Sequence, residues 1–288
     1  MIITIVGPTG VGKTKLSLEL AKKYNGEVIN ADSTQIYKEL NIGTAKIDNQ
    51  EGIIHHLIDI KTLNEEYTIY DFQKEGRKII ADILKRNKTP IIVGGSGLYI
   101  SALLYDYKFL KQSKEIKITK SPLEMHNELL KIGLEINVNN HQRLYRKYIK
   151  HIINKEPIIT KEPNLLYDTI VIGLTTDRIN LYNIINNRVD QMIKDGLVEE
   201  AKTLLEKFPN SIQLKSTIDY KELISYFNNE STLDESIYQM KKNSRNYAKR
   251  QYTWFNNKMN VKWFETNYNN FSKTVLEVIK YIDNQIKK

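Results

Sequence analysis

The chain has 288 residues, about two domains' worth, with 41% hydrophobic and 27% charged side chains, which is the composition of a globular protein and excludes disorder as the main state. It contains no cysteine, so disulfides, thiolate-held zinc, iron–sulfur clusters and a cysteine nucleophile are all excluded. The net charge of +9 invites a polyanionic partner, yet Lys outnumbers Arg 35 to 8 and Asn reaches 28, a compositional bias that yields basic charge without functional demand; where the charge sits therefore carries more than its sum.

The chain opens on a β-branched run, residues 2–6, that predicts a strand and lacks the pattern of a secretory signal, so the expected location is cytoplasmic. Apolar runs such as residues 91–93 and 170–174 are far shorter than the roughly 20 residues a membrane span needs, and no membrane partner is expected. A helix is predicted over residues 13–24, then strands over 27–30 and 56–60. A second helix over 69–87 follows, with Phe72, Ile79, Ile80, Ile83 and Leu84 on one face, then a strand over 90–93 and a third helix after Gly97. This alternation predicts an α/β fold, a P-loop-type parallel sheet core flanked by helices. Residues 108–163 turn Lys-rich without a convincing strand, and predict a small, mainly helical insertion domain within a core made of residues 1–107 and 164–288. The core resumes with a strand over 168–175. Helices are expected over 177–194, 196–207, 219–227 and 233–250, then a strand over 261–265 and a closing helix from Ser272.

Residues 7–14, Gly7-Pro8-Thr9-Gly10-Val11-Gly12-Lys13-Thr14, fit G-x-x-x-x-G-K-[ST] between a predicted strand and a predicted helix. Glycines at 7, 10 and 12 let backbone N–H groups turn toward a phosphate. The helix N-terminus adds its dipole, Lys13 a point charge, and the Thr14 hydroxyl a ligand for Mg²⁺. The loop alone leaves the ligand open, because a nucleoside triphosphate and a prenyl diphosphate present similar oxygens. The second strand runs into Asn30-Ala31-Asp32-Ser33-Thr34-Gln35-Ile36-Tyr37, and carboxyl ends of neighbouring parallel strands share one crevice, so Asp32 is expected to face the phosphate loop. A carboxylate there is a metal ligand or a proton acceptor, unless it only caps the turn that follows. The fourth strand ends in Gly94-Gly95-Ser96-Gly97, which brings close backbone approach and a hydroxyl to the same rim.

GPTGVGKT, ADSTQIY, GTAK, HHLIDI, VGGSGLY and AKRQYTWF occur in the order found in bacterial tRNA dimethylallyltransferases, and the chain resembles that family over most of its length. The resemblance implies transfer of a dimethylallyl group from dimethylallyl diphosphate to N6 of adenosine 37, beside the anticodon of tRNA. It implies that residues 7–14 cradle the diphosphate with Mg²⁺ on Thr14, that Asp32 is the general base, and that Arg188 in NNRVDQM binds the diphosphate. Asp32, Ser33, Thr34, Gln35 and Ser96, together with Gln142, Arg143 and Arg146 of the insertion and Lys249 and Arg250 near the end, are the implied contacts to the anticodon stem-loop of tRNA. The expected assembly is a monomer. The chain departs from the family pattern in three places: the segment after Tyr107 is shortened, the usual HPND reads Val138-Asn139-Asn140-His141, and the usual Gly before Tyr220 is Asp219, followed by Lys221 where arginine is common.

From Lys241 to Lys262 there are seven basic residues and no acidic one, with Tyr247, Tyr252, Trp254 and Phe255 interleaved. Basic groups hold phosphates and aromatics stack on unpaired bases, a combination suited to an RNA loop, although Trp254 and Phe255 are equally at home in a core. Arg143 and Arg146 fall one helical turn apart in another stretch free of acid, so both guanidiniums can reach one anion. Two other functions compete: a P-loop kinase of a small metabolite, with Arg143 and Arg146 over ATP, and a non-enzymatic RNA-binding protein. A kinase has no use for the basic cluster, and a pure binder gives no role to Asp32, so the two features together favour prenyl transfer to RNA.

Overall fold

The structure is a computed structural model that describes residues 1–47, 50–109, 118–156, 158 and 163–287. Among these residues, strands β1 (Ile2–Val6), β2 (Gly26–Asn30), β3 (His55–His56), β4 (Thr89–Val93), β5 (Thr169–Thr175) and β6 (Lys262–Glu265) form one sheet in the order β3-β2-β4-β1-β5-β6. Every pairing is parallel; Ile3 lies opposite Ile91 on one side and Ile170 on the other. Helices α1 (Lys13–Lys23), α2 (Ile69–Lys85) and α3 (Gly97–Leu104) cross between the first strands. After β5 come α6 (Arg178–Lys194), α7 (Leu197–Lys207), α8 (Ile212–Ser216), α9 (Lys221–Phe227) and α10 (Leu233–Lys258), and α11 (Phe271–Ile286) closes the chain after β6.

The sheet is covered on both faces, which is why its strands read as nearly unbroken apolar runs. Alternation along β1 sends Ile2 and Val6 into one core with Phe72 and Ile80 of α2, Leu103 of α3 and Phe255 of α10. Ile3 and Ile5 point the other way, into a core with Leu16 and Leu20 of α1 and Val278 and Ile282 of α11. The helices begin where their sequences offer caps: Thr68 and Asp71 satisfy each other's backbone N–H groups at the start of α2, and Thr232 and Glu235 do the same for α10.

The segment Lys108–Asn164 is a compact unit of its own, apart from the unit made of Met1–Tyr107 and Leu165–Lys288. It contains α4 (Pro122–Lys131), α5 (His141–Tyr148) and a π-helical turn at Ile149–Ile153 around a small core of Met125, Leu129, Ile136, Leu144 and Tyr148. Residues 110–117, 157 and 159–162 of the expected helical insertion lie outside the described residues.

Several expected elements differ. The strand over 56–60 shrinks to His55–His56, because Leu57 and Asp59 adopt left-handed backbone, with φ of 61° and 57°. The helix expected over 233–250 continues to Lys258, carrying Gln251 and Phe255 on its buried side. The short helix Ile212–Ser216 has no counterpart among the expected elements.

Candidate active site

The carboxyl ends of β1, β2 and β4 open on a cavity of about 390 Å³. Thr9 and Lys13 line it from the loop after β1, Asp32, Ser33 and Thr34 from the turn after β2, and Gly95 from the turn after β4. Arg188, Val189 and Met192 of α6 face them, as do Asp219 and, from α10, Ser244, Tyr247 and Gln251.

The phosphate loop takes the shape its glycines permit. Gly7 has φ of 135°, and a Cβ there would stand 2.5 Å from the Leu174 carbonyl oxygen; Gly12, the N-cap of α1, has φ of 90° and would drive a Cβ to 2.6 Å from the Phe271 ring. Lys13 Nζ donates to the Pro8 carbonyl at 2.6 Å, curling the side chain over the loop. Burial works against its charge, and Arg188 adds repulsion that Asp32 only partly offsets, so the ammonium is pulled down to about 7 from the usual lysine range. Pro8, Gly10, Val11, Gly12 and Thr14 do not line the cavity by their own surface: Val11 is fully buried, and Thr14 is exposed in the first turn of α1.

Asp32 is half-buried at the rim. Its Oδ1 accepts from the Thr34 backbone N–H at 2.9 Å and from the Thr34 hydroxyl at 2.7 Å. The carboxylate therefore shapes the turn and lines the cavity at once. Asn30, almost fully buried, fixes the strand end from below by donating to the Leu57 and Asp32 carbonyls and accepting from the Asp32 N–H.

Arg188 donates through Nη2 to the Thr44 carbonyl at 3.3 Å. The same carbonyl accepts from Gln35 Nε2 at 3.1 Å, so Gln35 ties two loops together and is absent from the cavity lining. Ser96 also lies off the lining; its Oγ accepts from the Ser33 N–H at 3.5 Å. Burial disfavours the Arg188 charge, while Asp219 and then Asp32 favour it.

A family model described as IPP transferase matches residues 35–258. The tRNA dimethylallyltransferase of Anoxybacillus flavithermus is 46% identical over 98% of this chain and 96% of its own length, and that of Bacillus pumilus is 44% identical over 98% and 95%. The chain belongs to the IPP transferase family. Among solved structures, the full-length tRNA isopentenylpyrophosphate transferase of Bacillus halodurans is 38% identical with a TM-score of 0.79, covering 99% of this chain and 96% of that one. The corresponding transferase of Staphylococcus epidermidis is 37% identical with a TM-score of 0.75, covering 99% of both.

Membership implies a divalent metal in the family's chemistry. Among the described residues, no three His, Asp or Glu side chains are grouped to hold an ion. Mg²⁺ keeps most of its waters and commonly binds through one or two protein oxygens plus substrate phosphates. The exposed Thr14 hydroxyl beside the phosphate loop fits an ion that arrives on a phosphate, and does not fit a protein-built cage.

The other expected contacts are not among the residues that line the cavity. Gln142, Arg143 and Arg146 are exposed on α5, whose Leu144 and Tyr148 turn into the small core. Lys249 and Arg250 are exposed on α10, with the Arg250 guanidinium 5.6 Å from the Tyr247 ring. The rest of the basic run is partly committed elsewhere: Lys241 pairs with Asp190 at 2.6 Å, and Arg245 donates to Asn186 Oδ1 at 2.6 Å. Phe255 is fully buried and Trp254 packs against Gly97, so those two aromatics belong to the core.

Sequence reasoning missed most of the helical side of the cavity. Ser244, Tyr247 and Gln251 recur at i, i+3 and i+7, the spacing of one helix face. That periodicity was the available signal, hidden by the basic residues between them. Tyr99, which lines the cavity with Tyr37 and Tyr67, stood in a motif noted for its glycines and the Ser96 hydroxyl, not for its aromatic ring.

Proposed function

We propose that the chain transfers a dimethylallyl group from dimethylallyl diphosphate to N6 of adenosine 37 in tRNA, acting on the anticodon stem-loop in the cytoplasm. The observation that carries this reading is one cavity in which a phosphate-loop lysine, an arginine and a carboxylate meet beside apolar and aromatic surface. The cations suit the diphosphate, the apolar side suits a short prenyl chain, and the carboxylate suits the nucleophile.

The chemistry asks for each of these groups. The lone pair of an adenine N6 is delocalised into the ring, so a base must accept its proton as the new C–N bond forms. Asp32 is the group assigned to that task; its Oδ2 carries no hydrogen bond among the described residues. The allylic C–O bond breaks toward the diphosphate, whose oxygens gain charge. Lys13 and Arg188, both disfavoured as cations in the donor-free cavity, are relieved by that anion and stabilise the departing charge. Thr14 would hold Mg²⁺, which supplies further positive charge to the diphosphate when bound. An adenine stacked in its loop cannot reach a sheet rim, so the base must be turned out. Ser33 and Thr34, near Asp32, are assigned to receive it. Gln35 and Ser96 hold that turn in place, and Gln142, Arg143, Arg146, Lys249 and Arg250 are assigned to the RNA backbone.

The test is incubation with dimethylallyl diphosphate, Mg²⁺ and an anticodon stem-loop, followed by mass analysis of the RNA. Gain of one dimethylallyl group on adenosine 37 is expected. Unmodified RNA, together with phosphate transfer from ATP to a small metabolite, would instead make the chain a kinase.

A further inference from the structure

One titratable group in the cavity has no part in that chemistry. Asp219 is 8% exposed and has φ of 75°, backbone that glycine adopts freely, Asn and Asp tolerate, and other residues resist. The backbone is held there from both sides. Its N–H donates to Glu222 Oε2 at 2.8 Å. Its neighbour Tyr220, 1% exposed, fits so closely over Gly43 that a Cβ on Gly43 would lie 2.4 Å from the ring, while the Tyr220 hydroxyl accepts from the Gly43 N–H at 3.1 Å. A strained backbone and a buried carboxylate both cost folding free energy, and such costs gather at functional positions.

The carboxylate has little local compensation. Ser244 of α10 donates to Oδ1 at 3.3 Å, a long hydrogen bond. Arg188 of α6 lines the same cavity and acts on it through its charge, Glu222 and Lys221 act on it from α9, and Asp32 and Lys13 line that cavity too. Among these, Asp219 is the leading charge in favour of the Arg188 guanidinium, ahead of Asp32. The donor-free cavity thus balances two cations against two carboxylates. A diphosphate brings a multiply charged anion into that balance, and one carboxylate then becomes surplus.

We propose that Asp219 is the counter-charge of Arg188 in the donor-free cavity and gives way to the donor's diphosphate by taking up a proton from solvent. This rests on reading the cavity as the donor site. Asp219 offsets part of the guanidinium's positive charge before the donor arrives, opposes the anion while ionised, and ceases to oppose it once protonated. Burial and the Glu222 carboxylate push its carboxyl up to about 7, against Arg188, so the proton is available near neutrality, and a bound anion adds a push in the same direction. Donor affinity should fall as pH rises through neutrality. Lys13 gains a proton on anion binding as well, and the diphosphate has its own ionisation; both are common to the wild type and to any variant at position 219.

The experiment is calorimetric titration of the whole chain with dimethylallyl diphosphate and, in parallel, with inorganic pyrophosphate, each in two buffers of different protonation enthalpy. It compares the wild type with Asp219→Asn, which keeps an acceptor for Ser244, and Asp219→Gly, the residue best suited to the backbone. The wild type should take up more protons per donor bound than either variant. Asp219→Asn should bind the donor about tenfold more tightly than wild type near pH 8 and about equally near pH 6. A merely structural role would shift the melting temperature and leave the proton count unchanged; equal proton uptake and equal pH dependence in all three proteins overturn the proposal. If pyrophosphate shows the difference while dimethylallyl diphosphate does not bind, the prenyl reading fails and the role of Asp219 stands. If neither ligand binds, both fall.

Discussion

The cavity has two walls built by different means. One is made of loops at the ends of β1, β2 and β4, where Thr9, Lys13, Asp32, Ser33, Thr34 and Gly95 project from consecutive backbone whose course is dictated by glycines and a tight turn. The other is made of α6, the stretch before α9, and α10, where Arg188, Asp219, Ser244, Tyr247 and Gln251 come together only because three helices pack. In the loop wall, local backbone geometry fixes the chemistry. In the helical wall, tertiary contacts such as Gly43 against Tyr220 decide which side chain faces inward. On the proposed function this divides the labour, with the assigned base Asp32 and the phosphate-loop lysine on the loop wall, and Arg188 and Asp219 adding charge from the helical one.

The sharpest way to break that division is at Asp32. Asp32→Asn keeps an oxygen for the Thr34 N–H and hydroxyl, so the turn should survive, while the proton acceptor is lost. Prenyl transfer should slow by about 10² or more, with donor and RNA affinities changed little. Gln251→Ala, on the helical wall, should cost less. Single-turnover rates for the two variants decide the matter: a rate for Asp32→Asn close to wild type removes the base from the loop wall.

A second, smaller effect concerns Lys13. Its pKa in the folded, donor-free protein is about 7 against an ordinary 10.5, so between those values the unfolded chain holds the proton more tightly. Stability contributed by this group is therefore absent below about 7 and gained as pH rises above it. Melting of the donor-free wild type should show a gain on the order of 1–2 kcal/mol from pH 7 to 9 that Lys13→Met lacks. Identical pH profiles for the two proteins would mean that the lysine is not penalised in the donor-free cavity.

The same contrast explains how much could be read in advance. The parallel sheet, the phosphate loop and Asp32 were legible because periodicity and motif spacing are local properties, and parallel strands bring their carboxyl ends together whatever the loops do. Arg188 was reached only through the resemblance. Asp219 showed in the sequence as an odd residue before Tyr220, but its place in the cavity depends on a contact between residues 43 and 220 that no local pattern announces. The strand end at Leu57 and Asp59 was illegible for another reason: left-handed backbone is tolerated by Asp without being demanded by it, and nothing in a leucine advertises it. The continuation of α10 through Tyr252, Thr253 and Trp254 ran against modest helix propensity, and packing of Phe255 into the core overrides it.

The remaining predictions sharpen what lies on the outer face of the helical wall. Lys249 and Arg250 are exposed on α10, between Tyr247 and Gln251 in sequence but turned away from the cavity side that those two line. Replacing both with Ala should weaken binding of an anticodon stem-loop and flatten its salt dependence, the slope of log affinity against log salt falling by about 0.7 to 0.9 for each phosphate no longer neutralised. Affinity for dimethylallyl diphosphate should be unchanged, and calorimetry on the same preparation serves as the control. A parallel fall in donor affinity would place this face inside the active site.

Lys241 supplies the finest discrimination, because the charge count of the sequence treats it as equal to Lys249. In the structure it is already paired, 2.6 Å from Asp190 on α6, with the lysine side chain 23% exposed. A partly exposed ion pair of this kind contributes about 0–1 kcal/mol, so Lys241→Ala should lower stability by no more than that. Its charge is offset by the Asp190 carboxylate, which leaves little net potential for a phosphate, and the salt slope of RNA binding should stay at the wild-type value. Asp190→Ala should do the reverse, freeing the ammonium and steepening the slope. If Lys241→Ala instead flattens the slope as much as Lys249→Ala, the pair opens when RNA arrives, and the RNA-binding face extends from Arg250 back along α10 to the edge that packs on α6.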